Sequence, residues 1–100
     1  MKNIAILGST GSIGQSTLAV VDKFPDRFRV IALAAGNNAE LLEKQVQRYR
    51  PAVVSLSDGQ AADALRKRCN GLPVRIYSGI EGMIQVAAAE GADIVVSSIV

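Results

Sequence analysis

Gly8-Ser9-Thr10-Gly11-Ser12-Ile13-Gly14 decides how this sequence is read. The string carries a glycine at every third position. It lies between a short apolar run, Asn3 to Leu7, and a segment of helical spacing that begins at Ser12. A continuous apolar run closed by glycine reads as a strand buried on both faces. After Ser12, the residues Ile13, Thr17, Leu18, Val21 and Phe24 fall on one side of a helix, and Pro25 stops it. The unit is strand, glycine turn, helix. In such a unit Gly8 permits the sharp exit from the strand, and Gly11 lets the backbone approach a pyrophosphate. Gly14 lets the helix pack closely. The amides of residues 10 to 13 then face outward at a helix N-terminus, where unpaired donors and the positive dipole end favour an anion. The Thr10 and Ser12 hydroxyls add donors. Thr10 makes the spacing differ from G-x-G-x-x-G, but the position between strand and helix is the context a dinucleotide motif requires. A plain tight turn with one packing glycine leaves three glycines and two hydroxyls unexplained.

The alternation repeats outward from this turn. Arg29 to Ala35 is a second apolar strand ended by Gly36. Asn37-Asn38-Ala39-Glu40 opens a helix, because Asn with Glu three residues on has the spacing of a reciprocal capping box. Pro51 precedes a third strand, Ala52 to Leu56. Ser57-Asp58-Gly59-Gln60 has the same box-like spacing and starts a helix that runs to about Cys69. Pro73 to Tyr77 is a fourth strand, and Ser78-Gly79-Ile80-Glu81 is a further cap signal. Ile80, Met83, Ile84 and Ala87 follow at helical spacing, and Asp93 to Val100 is a fifth apolar strand. Strands alternating with helices over short connections predict parallel units with right-handed crossovers. The expected fold is α/β, a Rossmann-like doubly wound parallel sheet in three αβα layers, cut after about the fifth strand. Because the chain closes on Ile94-Val95-Val96-Ser97-Ser98-Ile99-Val100 without a polar tail, it reads as the front of a longer one. Intact protein of this mass from its source would contradict that.

Composition narrows the function. With 49% hydrophobic residues and only four aromatics, Val, Ile, Leu and Ala supply the core of one domain. The net charge is +2 and the eleven basic residues are scattered. The densest run, Arg66-Lys67-Arg68, belongs to a helix end, where the dipole favours cations. No broad basic face with stacking aromatics points to nucleic acid. No stretch approaches a membrane span, so a cytoplasmic protein is expected. A lone Cys69 without any His offers neither a disulfide nor metal-ligand company, and is expected half-buried in a helix. Glu81 and Glu90 have no acid–base partner. Tyr49 and Tyr77 lack the Tyr-x-x-x-Lys spacing of short-chain dehydrogenases and are assigned to packing.

The second strand bears on cofactor choice. NAD sites usually place an acid about 20 residues past the glycines. Leu33-Ala34-Ala35-Gly36-Asn37-Asn38 has none, so a 2′-phosphate meets no repulsion and finds the Asn amides and the start of the second helix. The reading favours NADP, with Asn37 and Asn38 as helix caps the bland alternative. Ser57 and Asp58 lie at the same sheet edge, where a cap explains them equally well.

Met1 to Leu18, with its Leu-Gly-Ser-Thr-Gly-Ser-Ile-Gly string, resembles the start of the 1-deoxy-D-xylulose 5-phosphate reductoisomerases, as does Phe28 to Asn38. The likeness covers all 100 residues, strongly in the first 40. It implies an NADPH-dependent oxidoreductase that isomerises and reduces 1-deoxy-D-xylulose 5-phosphate to 2-C-methyl-D-erythritol 4-phosphate in the non-mevalonate isoprenoid route. By resemblance, Thr10, Gly11, Ser12 and Ile13 bind the pyrophosphate side of NADPH, and Gly36, Asn37 and Asn38 its 2′-phosphate. Many members carry a basic residue where this chain has Asn37. Residues 1–100 are then an N-terminal NADPH-binding domain, inactive alone. The catalytic residues, the divalent metal (Mg or Mn) and the site for a small phosphorylated sugar are expected beyond Val100, and a homodimer when full length. Two other readings stay open. One is another NAD(P)-dependent reductase, such as a semialdehyde dehydrogenase or an extended short-chain reductase. The other is a nucleotide-sensing module without chemistry.

Overall fold

A computed structural model describes residues 1–98. The elements are β1 (Lys2–Leu7), α1 (Ser12–Lys23), β2 (Phe28–Ala35), α2 (Ala39–Tyr49), β3 (Val53–Leu56), α3 (Gly59–Arg68), β4 (Arg75–Ser78), α4 (Gly79–Ala87) and β5 (Ile94–Ser97). The expected order is borne out, with boundaries moved by a residue or two. The fifth strand was expected to reach Val100; its last two residues lie outside the described ones.

All strand pairs are parallel, in the order β4-β3-β2-β1-β5. Ile4, Ile6, Leu33, Val54 and Leu56 face a core shared with α1, α2 and α3, built from Leu18, Val21, Leu42, Val46 and Leu65. Ala5, Ala32, Ala34 and Val53 face the opposite side, which Val86 of α4 covers. The first three crossovers step outward from β1 with helices on one face. The fourth steps back past β1 with its helix on the other face, so the hand is preserved. That reversal makes β1 and β5 the switch point of a doubly wound sheet, at whose carboxyl edge ligands bind.

Sequence periodicity misses one feature of β2. Ile4 pairs with Val30 but Ala5 pairs with Ala32, so Ile31 is an extra residue, a bulge. Val30 and Leu33 therefore share one face while Ile31, Ala32 and Ala34 share the other.

Two helical stripes differ from expectation. In α1 the buried residues are Gly14, Leu18 and Val21, whereas Ile13 and Phe24 are exposed. The predicted stripe is too wide for one contact, and only its Leu18–Val21 edge meets the sheet. In α4 Gly82 and Val86 are buried, whereas Ile80 and Ile84 are exposed. Gly82 decides this, because a Cβ there would collide with the Ser55 hydroxyl and lie 2.9 Å from Tyr77 Cβ. The missing side chain brings the helix onto β3 and β4, and the larger residues turn outward.

None of the three capping boxes forms as expected. Asn38 rather than Asn37 caps α2, its Oδ1 accepting from the Leu41 amide at 3.1 Å. Asp58 rather than Ser57 caps α3, accepting from the Ala61 amide at 3.0 Å. Ser78 occupies the N-cap of α4 without a side-chain bond. In the first two cases the spacing pointed one residue too early.

The three helices on one face are tied by charge. Asp22 of α1 accepts from Tyr49 Oη at 2.9 Å and pairs with Arg48 of α2 at 3.1 Å, so Tyr49 does more than pack. Arg68 of α3 pairs with Glu43 of α2 at 3.1 Å, whereas the Arg66–Asp63 pair at 2.7 Å stays within α3. These pairs lie at the surface, where water and salt screen them, and contribute little to stability.

Cys69 is 3% exposed at the C-cap of α3, deeper than expected. Burial pushes its thiol up, with the Glu43 carboxylate adding to the effect. The thiol is thus neutral at physiological pH. It should react with an alkylating reagent at least ~10-fold more slowly in the folded protein than in the unfolded chain. Equal rates would place Cys69 at the surface.

Candidate functional site

The glycine turn leaves β1 at the switch point. Gly8 adopts φ +91°, a backbone that favours glycine, and makes the sharp exit expected of it. A Cβ there would also collide with the Ser98 hydroxyl. Gly14 is needed for a different reason: its Cβ would overlap the Gly8 carbonyl oxygen and lie 2.7 Å from Ser9 Cα. The helix therefore closes directly on the turn's own backbone. Gly11 is neither strained nor crowded, since the only neighbour of its Cβ within contact range is Gly8 O at 3.5 Å. The fold does not require glycine at this position, and open space over the turn leaves the backbone approachable.

Every carbonyl of the turn from Leu7 to Thr10 accepts a hydrogen bond from the protein itself. Leu7 O accepts from the Ser98 amide at 2.9 Å, and the Ser98 hydroxyl is shared between Leu7 O and Gly8 O at 3.0 and 3.1 Å. Ser9 O accepts from Gln45 Nε2 at 2.9 Å, and Thr10 O from Gln15 Nε2 at 2.9 Å. Carbonyls engaged in this way leave amides to face outward. The amides of Thr10, Ser12 and Ile13 have no hydrogen-bond partner among the described residues. The Gly11 amide departs from expectation, because it turns in to Gly8 O at 3.2 Å. Of the four amides at residues 10 to 13, three are open donors, where α1 presents its positive dipole end.

The second half of the site follows β2, the strand next to β1. The turn and β2 are stitched together by Ala34 O, which accepts from the amides of Gly8 and Ser9 at 2.7 and 3.0 Å. Gly36, Asn37 and Asn38 are exposed beyond it. The Asn38 side chain is spent on the cap of α2, so the bland reading is right for that residue's Oδ1. The Asn37 side chain makes no hydrogen bond among the described residues, and no carboxylate stands at the end of β2. Gly36 has ordinary φ and only Ser57 Oγ, at 3.9 Å, near its Cβ. Thr10 is half-buried, and Gly11, Ser12 and Ile13 are exposed. All seven expected residues thus lie on two adjacent turns at one edge of the sheet.

Between those turns and α4 is a cavity of about 270 Å³, floored by Ala34, Ala35 and Ser55 and walled by Ser57, Ile80 and Met83. No charged group lines it. Ile80 and Met83, read from the sequence only as apolar residues at helical spacing, here stand at a site. Ser57 Oγ donates to Gly36 O at 3.1 Å and steadies that rim. Gln45 and Ser98 were also missed. A glutamine inside the Leu42–Val46 stripe of α2 and serines inside an apolar strand were the signals available for them.

No group of three or more His, Cys, Asp or Glu able to hold a metal exists among the described residues. These residues do not fit a divalent ion. Among the described residues no helix is long and apolar enough to cross a membrane.

A doubly wound parallel sheet with an open-amide turn at its switch point is a Rossmann-like domain. Residues 4–100 match the family model described as 1-deoxy-D-xylulose 5-phosphate reductoisomerase. Relatives with that name from a Geobacter species and from Chlorobium limicola are each 52% identical over the whole chain. A solved DOX-P reductoisomerase in complex with NADPH, fosmidomycin and magnesium superposes with a TM-score of 0.93 at 36% identity, over 99% of this chain. The Zymomonas mobilis enzyme in complex with NADPH gives 0.90 at 31% identity, over 98% of this chain. The chain spans 26% of each of those two relatives and 24% and 26% of the two structures. The chain belongs to the 1-deoxy-D-xylulose 5-phosphate reductoisomerase family.

Proposed function

We propose that residues 1–100 are the NADPH-binding portion of a 1-deoxy-D-xylulose 5-phosphate reductoisomerase. The observation that carries this is the turn itself: its carbonyls are engaged by the protein and the Thr10, Ser12 and Ile13 amides stand open at a helix N-terminus. These amides, with the Thr10 and Ser12 hydroxyls, hold the pyrophosphate, and Gly11 leaves room for its approach. The apolar cavity beside Ala34, Ser57 and Met83 receives the adenine. Gly36, Asn37 and Asn38 receive the 2′-phosphate through amides and the Asn37 side chain, with no carboxylate to repel it. When bound, NADPH supplies a hydride; this chain's residues bind and orient it.

The relatives' names and the NADPH complexes of the solved neighbours support the catalytic part of the reading. It takes a small phosphorylated sugar, 1-deoxy-D-xylulose 5-phosphate, as substrate of the full-length enzyme. The divalent metal and the catalytic groups belong to other segments. A homodimer and a cytoplasmic location go with it.

The test is amide chemical-shift mapping with NADPH. Shifts should concentrate at residues 10 to 13 and 36 to 38. Shifts concentrated instead in the polar groove at the opposite edge, between Arg29, Arg75 and Glu90, would overturn the assignment.

A further inference from the structure

Among the buried side chains, Gln45 stands out. It is 6% exposed on the core face of α2, between Leu42 and Val46, where an apolar residue of its size would serve packing better. Its Nε2 donates to Ser9 O at 2.9 Å, while its Oε1 is buried with no partner among the described residues. A buried acceptor left unpaired is costly and offsets much of what the bond to Ser9 O contributes to stability. Its bond reaches across 36 positions of sequence. Among the described residues it is the only side-chain hydrogen bond from α2 to the glycine turn.

The place of Gln45 on α2 gives that bond a consequence. Asn38, the N-cap, lies seven positions earlier, so the two residues share one side of the helix, roughly 10 Å apart along its axis. The N-terminal end of α2 is itself anchored, because Gly36 O accepts from the Ser57 hydroxyl and the Asp58 amide at 3.1 and 3.2 Å. One rigid helix thus carries the Asn38 terminus at one end and the grip on Ser9 two turns later. The carbonyls of Gly8 and Thr10, by contrast, are held by groups from the turn, α1 and the end of β5.

We propose that Gln45 is a positioning residue that sets the separation between the glycine turn and the N-terminus of α2, so that both phosphate-bearing parts of NADPH are received together. The inference rests on the NADPH reading above. A ligand with only the pyrophosphate tolerates a turn that shifts relative to α2. A ligand that also carries the 2′-phosphate must satisfy both at once, and it loses more when the strut is gone.

The test compares Gln45→Met with the unaltered protein by calorimetric titration against NADPH and NADH, with thermal unfolding alongside. Methionine keeps the volume and removes both the donor and the orphaned acceptor. The expected result is a melting temperature that changes little, because losing the orphaned Oε1 offsets the Ser9 carbonyl left unpaired, with NADPH affinity reduced and the NADPH-to-NADH preference lowered by about tenfold, the worth of one buried hydrogen bond. Equal losses for the two cofactors, or no loss, would overturn the proposal. If Gln45→Met does not fold, Gln45→Leu, which also removes the donor without adding charge, gives the same comparison. Failure of the unaltered protein to bind NADPH would overturn the parent reading instead, so the two failures are distinct.

Discussion

Replacing Gly14 with alanine should abolish or strongly lower the thermal unfolding transition, whereas the same change at Gly11 leaves the fold intact. At Gly14 the new Cβ overlaps the Gly8 carbonyl oxygen and sits 2.7 and 2.9 Å from Ser9 Cα and Gly8 C. All three are backbone atoms within the turn and cannot rotate away. Relief requires α1 to lift off the turn, which also pulls Leu18 and Val21 from the core. Overpacking of a close-packed site costs about 1–3 kcal/mol when side chains can adjust, and more when backbone must move. A domain of this size has only about 5–15 kcal/mol in hand. At Gly11 the nearest atom to a Cβ is 3.5 Å away, and the cost is that of alanine at a helix N-cap, about 1 kcal/mol. Circular dichroism should therefore show a lost or strongly lowered thermal transition for Gly14→Ala and a retained one for Gly11→Ala. The Gly11 variant should bind NADPH more weakly, because its methyl stands over the open turn.

Gly36→Asp should invert cofactor preference without unfolding the protein. The position has ordinary φ, and its Cβ finds only Ser57 Oγ at 3.9 Å. The new carboxylate stands at the end of β2, where NAD sites hold the ribose 2′-hydroxyl. Against a 2′-phosphate it brings like charges together in a partly solvated place. That costs about 2–3 kcal/mol after screening, roughly a hundredfold in NADPH affinity. NADH has no such phosphate and gains a hydrogen-bond acceptor. Paired titrations of the variant with the two cofactors measure the effect. Unchanged NADPH affinity would mean that the 2′-phosphate lies elsewhere.

The layout of the fold was legible because strand and helix periods differ and glycines punctuate them. Asn3 to Leu7 and Gly8 to Gly14 sufficed to place the switch-point turn, and all seven candidate residues came out on the expected edge. What the sequence obscured has physical causes. Ile31 looks like any other strand residue, since a bulge leaves no compositional trace. Ile80 and Ile84 have the spacing of a buried stripe, but the close approach of α4 at Gly82 is a tertiary fact that turns them outward. The Asn37–Glu40 and Ser57–Gln60 spacings fit a capping box as well as the Asn38 and Asp58 caps that form. Gln45 was hidden for the opposite reason. Its importance lies in a contact with Ser9, 36 residues away, and helical periodicity counts it only as a flaw in an apolar face.

Calorimetric titration of the protein with NADPH and, separately, with NADH tests the central claim most directly. An open-amide turn paired with an uncharged loop after β2 predicts saturable one-site binding that favours NADPH by at least about tenfold, the scale of hydrogen bonds to a charged phosphate. Equal or tighter binding of NADH, or no binding of either by protein shown to be folded, would contradict it.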